Sequence, residues 1–423
     1  YASICQTLSN RSAPSPKGIP KKPGTGVLHC APRWSQFGSQ EWLLLPHMAQ
    51  IEGVGPLLYW HFKNENWPPG IPKGVAAALM GQYYSTLGQN TLLFRELDRI
   101  LAAFAEANIP VILLKGADLA QTIYPDPALR PMGDLDLLVE KDDLERAVAS
   151  AQNLGYWEDI VELRPGLSWE MGLGHHIHLQ NEQHANLELH WRLIGGADDW
   201  RSPPAEWVWA QAEQSDPKKP YQVLNTHAHI LYISAHQALQ HGLANARLIW
   251  FYDVYVLLKA ENTIDWGALI TCSQETDWGA SLSAVLSGVA KCFDYPVPEF
   301  VLQHLAETAS RDATLVRQRA ESGVTRTESV WQVVSALKGS SKLKLVWAYL
   351  FPSPARMRYR YRPKPAWIWL LYYPYRWGDI FCDIIGTGLT QLRSNLPWRT
   401  RRSQRNSKNR AKLSVLGVLC GKN

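Results

Sequence analysis

The stretch Arg130-Pro131-Met132-Gly133-Asp134-Leu135-Asp136-Leu137-Leu138-Val139 decides how this chain is read, because it sets two carboxylates two residues apart on an apolar run. As a strand it places Asp134 and Asp136 on one face, roughly 7 Å apart, while Leu135, Leu137 and Val139 point into a core. Two acids on one face repel unless a cation lies between them. A D-x-D pair at a strand end is able to hold divalent metals about 3.5–4 Å apart, the arrangement that phosphoryl and nucleotidyl transfer uses. The same pattern also arises on an ordinary acidic strand face, so its surroundings carry the decision.

Upstream, the apolar run Val111-Ile112-Leu113-Leu114 stops at Lys115-Gly116 and leads into a helix expected over 117–124. Strand, glycine turn and helix together aim backbone N–H groups at phosphate. Downstream, Asn186-Leu187-Glu188-Leu189-His190-Trp191 alternates again and puts Glu188 and His190 on one face. Arg130 is expected either to bind phosphate or to lock the loop, and Asp118 to favour the positive end of its helix dipole. His175, His176, His178, His184 and His190 crowd into one short stretch. On a hairpin, His176 and His178 would approach Glu188 and His190, a set able to bind zinc. No cysteine is near and the spacing matches no structural zinc pattern, so His190 is expected to hydrogen-bond a carboxylate or the acceptor. His236 and His241 are five apart, off a common α-helical face, and are expected to be satisfied helix histidines.

The order of glycine turn, D-x-D and later acid resembles the nucleotidyltransferase superfold shared with polymerase-beta-like enzymes. The strings Leu114-Lys115-Gly116-Ala117-Asp118-Leu119, Tyr124 to Val139 and Leu187-Glu188-Leu189-His190-Trp191-Arg192 look like an uncharacterised bacterial nucleotidyltransferase family. Ser234-Ala235-His236, His241 and Arg247 to Asp253, read as the start of an amphipathic helix, add to that likeness, which runs over roughly residues 40–390. The resemblance implies Asp134, Asp136 and Glu188 as catalytic metal ligands for Mg²⁺ or Mn²⁺. It also implies Gly116 as the turn that lets the triphosphate of an NTP such as ATP approach, with Lys115, Arg130 and His190 around the nucleotide. Many active members follow the turn glycine with serine, whereas here Lys115 precedes and Ala117 follows. Either Lys115 supplies charge in place of the hydroxyl, or the pocket no longer handles a nucleotide.

The expected fold class is α+β: an α/β-type nucleotidyltransferase core of a mixed sheet with flanking helices, plus a mainly helical second domain. The expected divisions are a disordered basic segment over 1–40, helices packing on the core over 41–108, the core over 109–200, a helical domain over 201–390 and a basic tail over 391–423. Within them, Asn90 to Asn108 carries Leu93, Leu97, Ile100, Leu101 and Phe104 at helical spacing, and Asp142 is expected to cap a helix ended by Gly155.

Residues 1–40 carry five basic residues and residues 393–423 nine, with no acid in either. The overall formal charge is only +5, so the body between them is acidic, which argues against a template-reading polymerase. Six scattered cysteines suit a reducing, cytoplasmic compartment. The aromatic run Ala366 to Tyr375 is about half the length of a bilayer span, so no transmembrane helix is expected. An aromatic and basic segment of this kind can still make peripheral contact at an inner membrane face. The function expected is transfer of a nucleoside monophosphate from an NTP to a small-molecule, sugar or peptide-linked acceptor in a biosynthetic pathway. The alternatives are a noncatalytic binding or scaffolding module that keeps the fold, and an enzyme that modifies a partner protein.

Overall fold

A computed structural model describes residues 4, 5, 8 and 33–382, apart from 159–162, 165–173, 197–198, 215, 262, 323–333, 335–338 and 363. Most of the basic segment expected over 1–40 and all of the tail over 391–423 lie outside the described residues.

Among the described residues, seven short strands form one mixed sheet in the order β3-β4-β5-β2-β1-β7-β6. They are β1 (Ile112–Leu113), β2 (Leu135–Leu138), β3 (Trp157–Glu158), β4 (His176–Gln180), β5 (Asn186–His190), β6 (Ala212–Glu213) and β7 (Gln222–Leu224). β2 pairs parallel with β5 and β1 parallel with β7, while the other neighbours are antiparallel. With the surrounding helices this is an α+β fold, as the sequence pattern implies. β6 and β7 fall within the stretch expected to be helical. At two and three residues they are too short to show period-2 alternation, and pairing with β1 and with each other makes them strands.

The helices on the N-terminal side are α1 (Ser39–Ile51), α2 (Gly55–Asn64), α3 (Lys73–Glu106), α4 (Lys115–Thr122) and α5 (Leu144–Asn153). After α6 (Ala205–Ala210) come α7 (Thr226–Ala235), α8 (Leu248–Ala260), α9 (Trp266–Glu275) and α10 (Gly279–Phe293). Period-2 alternation gives the sheet two unlike faces. Leu135, Leu137, Leu179, Leu187 and Leu189 point to one side and are completely buried against Leu97, Ile100 and Phe104 of α3 and Leu144 and Ala147 of α5. Each such leucine contributes about 1.5–3 kcal/mol by leaving water. Ile112 and Leu138 point to the other side, into a second cluster built from α1, α2, α7, α8 and α10. α3, about 50 Å long at 1.5 Å per residue, joins the two clusters. Its N-terminal half places Val75, Leu79 and Tyr83 among the helices, and its C-terminal half places Leu93 to Phe104 on the sheet.

Three local expectations change. Asp142 lies in a 3₁₀ turn, Lys141–Asp143, so Asp143 takes the cap position before α5, and its carboxylate pairs with Arg146 instead of capping backbone N–H groups. Gly155 does follow that helix in a left-handed conformation, φ +89°. α8 is not amphipathic, because Leu248, Ile249 and every residue from Tyr252 to Leu258 are buried, as a helix apolar all round must be. α4 begins at Lys115, and Lys115, not Gly116, takes the left-handed turn, φ +49°. At Gly116 the constraint is space, since a Cβ there would stand 3.3 Å from both Arg130 Nη1 and Met132 Cγ and would press on both side chains.

Candidate functional site

The acids come together because two parallel strands share a register. Asp136 on β2 pairs with Glu188 on β5, and Leu138 with His190, so the alternation that buries Leu137 and Leu189 raises Asp136, Glu188 and His190 on the opposite face. β4 adds His178 opposite Glu188 and His176 opposite His190. Asp136 is 4% exposed, and a carboxylate so deeply buried requires partners. Lys115 Nζ donates to its Oδ1 at 2.7 Å, and His190 Nε2 lies 2.9 Å from the same oxygen. His190 Nε2 is also 3.3 Å from Glu188 Oε2, and His176 Nε2 is 3.8 Å from Glu188 Oε1. Donor atoms of Asp136, Glu188 and His190 lie within 4.8 Å of one another, a set able to hold a metal ion. Asp134 precedes β2 and stands outside that set, within electrostatic reach of it.

Protonation follows from this crowding. The negative charge of Asp136, then burial, then Glu188 push the Asp134 carboxyl up to about 7. Burial opposes ionisation of Asp136 as well, but Lys115 and the His190 hydrogen bond outweigh it and hold that carboxyl well below the usual range. His190 gains basicity in return: burial lowers its affinity for a proton, and the hydrogen bonds to Asp136 and Glu188 more than restore it. The site holds two low-pKa carboxylates, one lysine, and a third carboxyl that stays partly protonated near neutrality for want of positive charge.

The loop before Asp134 is braced at every turn. Tyr83 Oη donates to Asp126 Oδ2, and Asn90 Nδ2 to the carbonyls of Pro127 at 2.7 Å and Arg130 at 2.9 Å. Asn186 Nδ2 donates to the Gly133 carbonyl at 3.0 Å. Arg130, expected to bind phosphate or to lock the loop, has its guanidinium engaged within the protein. Nε and Nη2 grip both oxygens of Asp253 on α8 at 2.7–3.0 Å, and Nη1 donates to the Pro131 carbonyl at 2.6 Å. Tyr124 Oη adds a bond to Asp253 Oδ1 at 2.7 Å. Asp118 is buried and faces His229 Nδ1 at 3.3 Å, outside the acid cluster.

The helices supply a wall that the sequence pattern hides. Residues His236–His241 form a π-helix, whose wider turn brings residues five apart into line. His236 and His241 therefore meet edge to face, with ring centroids 4.6 Å apart and planes at 72°, and His241 continues to Trp250 at 4.7 Å. The expectation that they miss a common face assumed α-helical pitch, and the i, i+5 spacing was itself the available signal. Tyr232 links this wall to the acids: its ring is 6.0 Å from that of His236 and 5.8 Å from Lys115 Nζ. Burial, with Lys115 nearby, depresses the basicity of both histidines. Of the clustered histidines, His184 turns the β4–β5 hairpin at φ +57°, while His175, His176 and His190 converge.

A family model described as uncharacterised nucleotidyltransferase matches residues 38–294, which include every residue of this site. The match ends about 100 residues earlier than the likeness read from the motifs. Nothing among the curated proteins and nothing among the solved structures matches the chain.

Proposed function

This chain belongs to the uncharacterised nucleotidyltransferase family, and from that premise we propose that it moves a nucleoside monophosphate from an NTP to a small-molecule, sugar or peptide-linked acceptor. The observation that carries the reading is the shortage of positive charge among Asp134, Asp136 and Glu188, which leaves the Asp134 carboxyl up at about 7. Those three carboxylates, an all-oxygen donor set, suit Mg²⁺ or Mn²⁺. A bound ion would supply neutralisation of triphosphate charge and a lowered pKa for the attacking hydroxyl. The protein groups have distinct tasks in this proposal. Glu188 stands nearest the acceptor as proton acceptor, held by His190. Lys115 contributes charge to the phosphates, and Gly116 at the start of α4 lets them come close. His236 and His241 form the wall against which the substrate lies. Arg130 serves by holding the loop and not by touching phosphate.

One observation favours the noncatalytic alternative: Lys115 Nζ already sits 2.7 Å from Asp136, which is how a module that had given up metal would balance its charge. Pyrophosphate release from each of the four NTPs with Mg²⁺ or Mn²⁺, with cell extract as acceptor pool, separates the two. Transfer predicts metal-dependent release that disappears in the double variant Asp134→Asn, Asp136→Asn. Folded protein that neither releases pyrophosphate nor binds nucleotide in a metal-dependent way would leave only the binding module.

Among the described residues no helix is long and apolar enough to cross a membrane. For localisation the same proposal is cytoplasmic, with Trp367, Leu370, Leu371 and Phe381, each more than 60% exposed, touching an anionic membrane face. Co-sedimentation with anionic but not neutral vesicles is expected, and absence of the protein from both pellets would refute that contact.

A further inference from the structure

Beside the carboxylates lies a second donor set of different chemistry. His175 precedes β4, His176 opens it, and His190 closes β5 directly opposite His176. Their ring centroids are 4.2, 5.0 and 5.5 Å apart, and one nitrogen from each lies within 4.8 Å of the others. We propose that His175, His176 and His190 form a binding site for a zinc-class transition-metal ion, separate in its preference from the oxygen-lined site of the acids.

The position of the rings is built into the fold. The His175 carbonyl accepts from Trp191 N at 3.0 Å and Arg192 N at 3.4 Å, which fixes the strand end. Gly195 leaves the room its ring needs, since a Cβ there would stand 2.5 Å from His175 Nδ1. Behind two of the imidazoles stand carboxylates: His190 Nε2 faces Asp136 and Glu188, and His176 Nε2 faces Glu188. Metal-ligating histidines characteristically turn their far nitrogen to a carboxylate, which fixes the tautomer and strengthens the near nitrogen as a donor. His190 is 1% exposed, and its Nδ1 has no hydrogen-bond partner among the described residues. A buried polar atom without a partner is costly. A metal ion in place of the Nδ1 proton would satisfy it while Nε2–H stays on the carboxylates, with one proton released.

His175 Nε2 and His176 Nδ1 meet at 2.9 Å. One must donate to the other here, and both would turn their lone pairs to an ion. Burial first, then the neighbouring histidines, keep His175 and His176 uncharged at neutral pH. Three imidazoles suit zinc, whereas carboxylates suit magnesium and manganese. Three protein ligands leave a fourth position for water or substrate, the pattern of a reactive and not a structural zinc site.

The test uses the full chain and Zn²⁺ itself, by competition with a chromophoric chelator, and Co²⁺ as a spectroscopic substitute. The proposal predicts one Zn²⁺ per chain, resistant to millimolar Mg²⁺, and intense visible Co²⁺ bands of a four-coordinate nitrogen-rich site. His175→Ala should lower Zn²⁺ affinity by roughly 100-fold or more, beyond the 10–100-fold typical of losing an outer-sphere partner. His175→Gln, which keeps bulk and hydrogen bonding, should do the same if the alanine variant folds poorly. Asp134→Asn should leave Zn²⁺ affinity within about threefold of wild type while disrupting the Mn²⁺ site. Absence of stoichiometric Zn²⁺ binding, or binding that tracks Asp134 and ignores His175, overturns the proposal. Neither readout depends on turnover, so the zinc site stands or falls apart from nucleotidyl transfer.

Discussion

Replacing Arg130 by methionine tests whether the loop that presents the acids is held by the ion pair to α8. Arg130 is 8% exposed and Asp253 1%, and three short N–H···O contacts join them. Taking one partner from a buried pair costs about 3–5 kcal/mol, because the other charge remains in a medium that cannot solvate it. Asp253→Leu also strips Tyr124 Oη of its acceptor, which adds about 1–3 kcal/mol. Set against a total stability of about 5–15 kcal/mol for a typical domain, either loss is large. In the double variant Arg130→Met, Asp253→Leu no charge is stranded, and its cost should be well below the sum of the two. Urea denaturation followed by tryptophan fluorescence, which the nineteen tryptophans make sensitive, gives all four corners of the cycle. An Arg130→Met penalty under about 1 kcal/mol, the level of an exposed pair, would refute the reasoning, as would strict additivity. Weaker Mn²⁺ binding in the single variants should accompany the loss of stability, since Asp134 ends the same loop.

The acids themselves titrate in a diagnostic direction. A folded-state pKa of about 7 at Asp134, against 3.8 unfolded, contributes stability that is full below about pH 4 and is lost as pH rises through about 7. Metal-free protein should therefore melt at lower temperature at pH 8 than at pH 5.5 by more than Asp134→Asn does, a difference of at most about 2 kcal/mol in full and on the order of 1 kcal/mol after discounting for partial exposure. Equal pH slopes in scanning calorimetry with EDTA would count against it. Lys115→Met should cost about 3–5 kcal/mol without metal by stranding Asp136, and added Mn²⁺ should reduce that cost; a penalty indifferent to Mn²⁺ would separate Lys115 from the metal position. Deleting one residue from His236–His241 should restore α-helical pitch and swing His241 by about 100°. Nucleotide affinity should then fall while far-ultraviolet dichroism is unchanged, and unaltered nucleotide binding would remove that wall from the site.

Asp136, Glu188 and His190 are legible as a group because strand alternation is strict: on apolar segments, polar residues two apart share the face opposite the leucines, whereas Asp134, one residue before β2, falls outside that rule. Helical spacing in the same way identified Leu93 to Phe104 as the face that packs on the sheet. What resisted reading was set by tertiary contact. Lys115 rather than Gly116 takes the left-handed turn because its ammonium is held by Asp136, 21 residues ahead. Arg130 finds its partner 123 residues away. β7 is a strand because β1 lies beside it, not because of its three residues. The edge-to-face contact of His236 with His241 depends on a helix type that α-helical spacing does not anticipate.

The tie from Arg130 to Asp253 also sets an order of events during synthesis. Both aspartates of the D-x-D pair leave the ribosome more than a hundred residues ahead of Asp253, the carboxylate that grips Arg130 of their loop. A nascent chain carries the ingredients of the site long before it carries the site, and contacts this distant in sequence form late. On the proposed function, the growing polypeptide should gain a steady Asp134 loop only after α8 has emerged and packed. A fragment ending near residue 200 would display the whole motif without the carboxylate that holds Arg130.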